Sequence, residues 1–474
     1  MACEVSTRDE SLAKLQCGSC HLAPSPSLLD SATWAKHVLP EMKFRMGINP
    51  TRLWTVPPSE INAVASAIPN NSITEQEWKR IERYYLEHAP KKITPATLAL
   101  DGTVELFSIS TPRCRIAPLL TMLHFDTTLH KLVAGTRANR LYFLDERFTV
   151  TDSVLLTSAP ADQLSINADS IHILQMGKMD PNDLMNGSLM AFVKSKNQKS
   201  VLIDSLKRPV HMVHGDFDRD GDADVLIACF GNFTGGLMLF ENQDSHFIKH
   251  VVHYLPGTRR TLLRDVNGDG LLDIIALITQ GNEQITLFTN LGDFKFRPTT
   301  LLQFPPVYGS SYFDLVDMNN DGLEDILYCN GDNADFSPIV KPYHGVRVFR
   351  DNGDYKFTED LFLPMPGAFQ AVARDFDGDG DIDIAAIAYF PDFNTFPHQS
   401  FVHFENTGNS FIRRATPLLG NGRWIVMEAV DFDKDNDEDI ILGALNFNIA
   451  APDSILSRWI SNPISLQYLE NAQK

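Results

Sequence analysis

A nine-residue frame, Asp216-Phe-Asp-Arg-Asp-Gly-Asp-Ala-Asp224, constrains this chain more than any other feature. Carboxylates at relative positions 1, 3, 5 and 9, here Asp216, Asp218, Asp220 and Asp224, with glycine at 6, match the spacing by which a short loop wraps hard oxygen ligands around one calcium ion. The frame returns at Asp265, Asn267, Asp269 and Asp273 and at Asp317, Asn319, Asp321 and Asp325. It returns again at Asp375, Asp377, Asp379 and Asp383 and at Asp431, Asp433, Asp435 and Asp439. Five copies in one frame are not chance. Acidic turns are often only solvated strand connections, but three or four crowded carboxylates repel one another, so five such loops point to a common cation. Aspartate-rich, flexible loops suit the larger shell of calcium better than that of magnesium. Asn436 stands where the fifth copy should have glycine; asparagine tolerates a left-handed backbone, so metal is expected there too.

The loops change how the net charge of -19 reads, because eighteen of the twenty ligand positions are aspartate. Five calcium ions would bring the total to about -9. No basic stripe is visible, so nucleic acid is not an expected partner. No run of about 18 apolar residues suggests a membrane span.

The repeat is longer than the loop. Apolar runs follow each frame, and each unit closes on an alternating strand with a bulky marker residue, followed in most by Asn or Asp. The markers are Leu144, Phe192, Phe240, Phe288, Phe349, Phe404 and Tyr468, spaced 48, 48, 48, 61, 55 and 64 apart. Seven units with a period near 50 and about four strands each describe a β-propeller. At this point the chain resembles the FG-GAP or VCBS repeat family, the integrin-α-like propellers in which such a loop joins the first two strands of a blade. The resemblance covers about residues 100 to 474 and is strong for the last five units. The first two keep the strand and lose the ligands, with Asp126-Thr-Thr-Leu129 as the remnant in the first.

Residues 1–90 read differently. Thr7-Arg-Asp-Glu10 has capping-box spacing and opens a helix leading to Cys17-Gly-Ser-Cys20-His21. C-x-x-C-H sets two thiols to form thioethers with haem vinyl groups while the adjacent imidazole takes the iron. A zinc half-site would want a second ligand pair, and a redox dithiol a βαβ context; neither is present. Met42 and Met46, in Val38-Leu-Pro-Glu-Met-Lys-Phe-Arg-Met46, are candidate distal ligands, with Met42 preferred because it follows a proline-stiffened turn. Asp30 opens a second short helix, and Thr74-x-x-Glu77 caps a third that carries Trp78, Ile81 and Tyr85 on one face. Together these residues resemble a small class I cytochrome c domain, although His21 and Met42 lie closer in sequence than is usual there.

The expected architecture is therefore a multidomain chain: a small all-α cytochrome c-like haem domain at 1–90, a linker at 91–100, and an all-β seven-bladed propeller at 101–474. The resemblance implies covalent haem c and, in bacteria, export to the periplasm or cell surface. Ala2-Cys3 looks like the tail of a lipobox, which would make a lipid on Cys3 the membrane link. Cys229 and Cys329 sit in apolar runs and read as buried strand residues rather than a disulfide pair.

Three functions suit these parts. The first is single-electron transfer to a redox partner protein, with the calcium-stiffened propeller docking that partner or a carbohydrate. The second is a haem-linked oxidoreductase acting on a sugar or alcohol in the propeller funnel. The third is an adhesion protein or scaffold with a sensory haem. Complete catalytic machinery is not legible: His211, His214, His344, His398 and Arg374 lie near loops that could face the funnel but read first as packing or surface residues. Arg259, Arg260 and Arg264 could hold an acidic group or balance nearby aspartates.

Overall fold

A computed structural model describes residues 2–48, 53, 55–68, 73–94, 100–243, 246–334, 339–396, 398–446 and 451–471, with residues 2–7 as backbone only. The side chain of Cys3 and linker residues 95–99 lie outside the described residues. The helical unit comprises α1 (Ala2–Cys17), α2 (Ser31–Thr33), α3 (Leu39–Arg45), α4 (Ile61–Ala67) and α5 (Glu75–His88). Trp34, Trp78, Ile81 and Tyr85 form its buried centre. Asp9 of α1 pairs with Arg80 at 2.7 Å and with Arg83, tying the first helix to the last.

Two caps fall where the spacing puts them. Asp30 accepts from Thr33 N–H at 2.8 Å, and Thr74 and Glu77 exchange both bonds of a capping box. The Thr7 expectation fails, because α1 begins at Ala2 and runs through Thr7. The turn expected before Met42 is helical instead. Met42 lies within α3, Pro40 occupies its first turn, and Met46 caps its end. Pro40 has no N–H to give, and the preceding turn, Trp34–Val38, widens to a π-helix in which Leu39 N–H reaches Trp34 O.

The propeller has seven antiparallel sheets of four strands. All seven marker residues lie on third strands. The second strands Asp224–Cys229, Asp273–Ile278, Asp325–Asn330, Asp383–Ala388 and Asp439–Ala444 are buried along their whole length, so the apolar runs are core. Cys229 and Cys329 are buried free thiols there. The seventh blade is built from both ends of the propeller: Phe107–Ser110 adds as outer strand to Leu466–Asn471, with Phe107 opposite Asn471. Among the described residues one α-helix and a short 3-10 helix, Pro417–Asn421, interrupt the region read as entirely β. Helix α6 (Asp453–Ser461) buries Ile455 and Trp459, four residues apart on one face.

The helical unit docks on the rim formed by connections after second and fourth strands. Phe44 meets Phe233 edge-on at 6.2 Å, Arg45 lies over the same ring, and Tyr343 Oη donates to Leu28 O at 3.2 Å. Glu60 accepts from Asp183 N–H at 2.7 Å. The aspartate loops join first and second strands, which places them on the opposite rim.

Candidate functional site

In the aspartate loops, the residue at position 6 has positive φ throughout: Gly221 +95°, Gly270 +84°, Gly322 +86°, Gly380 +95° and Asn436 +77°. A Cβ at Gly221, Gly322 or Gly380 would meet nothing within 4 Å, so conformation, not space, requires the residue. In the first four loops the first aspartate accepts from the N–H at position 6, as Asp265 does from Gly270 at 2.8 Å. Ligand oxygens of Asp216, Asp218 and Asp220, of Asp375, Asp377 and Asp379, and of Asp431, Asp433 and Asp435 come within 4.8 Å of one another. In the two remaining loops Asn267 and Asn319 replace the middle carboxylate and donate to Asp269 and Asp321 at 2.9 and 2.8 Å.

The ninth aspartate does more than close a ligand set. Asp224, Asp273, Asp325, Asp383 and Asp439 each accept a backbone N–H from the residue after the third strand's marker region: Asn242, Asn290, Asp351, Asn406 and Asn471, at 2.7–2.9 Å. The Asn or Asp itself is explained by its side chain, since Asn290, Asp351 and Asn406 accept the N–H two residues on, from Gly292, Gly353 and Gly408, at 2.9–3.0 Å. Asn290 also reaches the previous blade, donating to Phe217 O at 3.0 Å, and Asn471 does the same to Phe376 O at 2.7 Å. Burial, reinforced by neighbouring carboxylates, pushes Asp437 and Asp439 up to about 6. Burial also raises Asp218, Asp224, Asp273, Asp325 and Asp377. In the first blade Asp126 is instead held by Leu129 N–H and Gln163 Nε2 at 2.9 and 2.8 Å.

On the other rim, a cavity of about 1420 Å³ lies beneath the helical unit and continues into the propeller channel. Cys17, Cys20, His21, Met42 and Met46 all line it, as do Trp34, Trp78 and Tyr85. Cys17 ends α1, and both thiols are free. His21 Nδ1 lies 3.0 Å from Leu22 O, which leaves Nε2 as the nitrogen available to a ligand. Burial raises the Cys17 thiol and lowers His21, favouring neutral imidazole.

Of the funnel candidates, His211, His214, Arg259, Arg260 and Arg374 line this cavity; His344 and His398 do not. Arg264 pairs with Glu324 through two bonds of 2.7 Å, which is the charge-balancing role. The channel also gathers residues not singled out from sequence: Asp162, Tyr312, Asp314, His124 and Glu428. Burial raises Asp162 to about 6 and lowers His211 to about 3, the latter helped by Arg260. His214 Nε2 and His172 Nδ1 lie 3.0 Å apart, both lowered to about 4 by burial. The missed signal was positional: apart from His172, which is on a second strand, these residues occupy first strands.

Residues 265–328 match the FG-GAP-like repeat. The match runs from the first aspartate of one frame into the second strand of the next blade. No curated protein matches the chain. Among solved structures, BBS1N in complex with ARL6DN, soaked with lead, is 8% identical at a TM-score of 0.48, covering 79% of this chain and 98% of that one. The Cps50 (Swd1) β-propeller domain of Myceliophteria thermophila is 11% identical at a TM-score of 0.46, covering 77% of this chain and 100% of that one.

Proposed function

We propose that this chain is an exported c-type cytochrome that transfers single electrons, with its helical unit mounted on a calcium-stapled FG-GAP-like propeller. The observation that carries the reading is that Cys17, Cys20, His21, Met42 and Met46 line one cavity, walled by Trp34, Trp78 and Tyr85. The donor set fits haem c: Cys17 and Cys20 would hold it by thioethers, His21 would ligate the iron through Nε2, and Met42 or Met46 would supply a further ligand. When bound, haem supplies a one-electron couple whose potential a methionine ligand raises. The aromatic side chains give that cavity an apolar wall, and the Leu22 carbonyl orients the imidazole.

The five loops fit calcium by donor chemistry. Each offers oxygen only, and the raised carboxyls mark a cluster that a cation would relieve. Their calcium-stiffened rim would be free to dock a redox partner protein or a carbohydrate, since the helical unit occupies the other. Haem attachment outside the bacterial cytoplasmic membrane would place the protein in the periplasm or at the cell surface, where a lipid on Cys3 would tether it. The polar channel wall favours a second reading, oxidation of a sugar or alcohol in the funnel.

The test is a reduced-minus-oxidised absorption spectrum of the chain produced with export and haem maturation. A covalent haem c spectrum, abolished by Cys17→Ala with Cys20→Ala, is expected; its absence would overturn the reading. Reduction by an added sugar or alcohol, without dithionite, would decide for the second reading over the first.

A further inference from the structure

The channel wall carries a ring that electron transfer does not use. In every blade the first strand bulges at its second residue, and pairing resumes at the third. On blades two to six that third residue is Asp162, His211, Arg260, Tyr312 or Gln370, and on blades seven and one it is Val426 or Met122. All seven line the cavity, so the ring has a continuous polar arc and a short apolar one.

Two of the five polar residues are committed within the protein. Gln370 exchanges bonds of 2.8 and 2.9 Å with the Met427 backbone, and Tyr312 Oη donates to Asp314 at 3.3 Å. Arg260 is under-partnered. Its nearest carboxylate, Asp314, stands off at 3.6 Å, the Tyr312 ring lies 4.5 Å from the guanidinium, and its solvent-shielded Nε has no hydrogen-bond partner. The side chain is about one-quarter exposed, so its terminal nitrogens can be reached from the channel, and a bound carboxylate matches its fork better than the distant Asp314 does. On the next blade His211 spends Nδ1 on Thr261 Oγ1 at 3.2 Å, leaving Nε2; beyond it Asp162 accepts only backbone N–H groups, from Met212 at 2.9 Å and Gln163 at 2.9 Å. Asp162, Asp314 and Glu428 share the channel and oppose a multiply charged ligand.

We propose that this arc binds a small hydroxylated monocarboxylate, its carboxylate on Arg260 and a hydroxyl between His211 and Asp162. The inference goes beyond the haem reading and is independent of it.

The test is calorimetric titration of the full, haem-loaded chain in calcium with D-gluconate, with sorbitol as the neutral counterpart and inorganic phosphate as the small anion. Saturable gluconate binding is expected, with sorbitol and phosphate at least roughly tenfold weaker. Arg260→Gln should weaken gluconate by roughly ten- to a hundredfold and leave sorbitol unchanged; Arg260→Lys, which keeps the charge and the fold but not the fork, should fall between. Gluconate bound no tighter than sorbitol, no saturable gluconate binding, or full affinity in Arg260→Lys and Arg260→Gln would overturn the proposal. An intact haem spectrum without gluconate binding removes this inference alone, and gluconate binding without haem removes the cytochrome reading alone.

Discussion

Replacing Asp437 by Asn should stabilise the calcium-free protein at neutral pH. Asp437 occupies position 7 of the fifth frame, outside the ligand set, and its solvent-shielded Oδ1 has no hydrogen-bond partner. Burial, with Asp435 and Asp439 beside it, moves its carboxyl from 3.8 to about 6. A folded pKa above the unfolded one means the folded state holds the proton longer, so stability is lost as pH rises from about 4 to about 6. At 1.36 kcal/mol per pH unit the displacement corresponds to about 3 kcal/mol, which solvent screening at this half-exposed position cuts to about 1–2 kcal/mol. Urea unfolding in EDTA at pH 7.5 should therefore show Asp437→Asn more stable by about 1–2 kcal/mol, and the gain should fade towards pH 4. In saturating calcium the gain should shrink if the loop holds an ion, because that ion would screen the cluster. A variant less stable than the parent in EDTA at pH 7.5, or a gain that persists unchanged at pH 4, would refute the crowding argument.

Other consequences follow from the same geometry. Calcium at a hundredfold excess over its Kd should raise unfolding stability by about 2.7 kcal/mol per independent site, and magnesium by less; identical midpoints in EDTA and calcium would remove the metal reading. Asn290→Ala breaks the bonds to Phe217 O, Leu272 O and Gly292 N–H, and should cost about 2–4 kcal/mol in urea unfolding even with calcium present. A chain beginning at residue 112 loses Phe107–Ser110 and the contact of Phe107 with Phe376 at 5.7 Å. It should be destabilised by at least about 3–5 kcal/mol relative to one beginning at residue 100, read by thermal melting.

Much of the propeller was legible because its repeat obeys local rules. Ligand spacing, left-handed glycine and the closing Asn or Asp each depend on a few neighbouring residues, so Asp273 and Asn290 announce a blade before any contact is known. The helical unit was less legible. Thr7 has the residues of a cap, yet the chain stays helical from Ala2, and helix α1 is secured by Asp9 reaching Arg80 and Arg83 more than 70 residues on. Met42 was placed beyond a stiffened turn, but Pro40 tolerates the first turn of a helix, so α3 forms and sets Met42 and Met46 one turn apart. Helix α6 was missed because it is a single nine-residue segment set between strands, too short for its helical period to outweigh the β pattern around it.

The channel shows where sequence reasoning stops. Asp162, His211, Arg260 and Tyr312 stand about 50 residues apart on separate first strands, and nothing in their neighbourhoods distinguishes them from packing residues. The sequence by itself determined the seven units, the five oxygen-rich loops and the C-x-x-C-H site, because each is encoded in short spacings. Only the tertiary structure decided that Phe107–Ser110 closes the seventh blade, that the helical unit sits opposite the aspartate loops, and that the cysteine cavity opens onto a polar ring. Those facts depend on closing a circle of blades, which brings residues hundreds of positions apart to one axis.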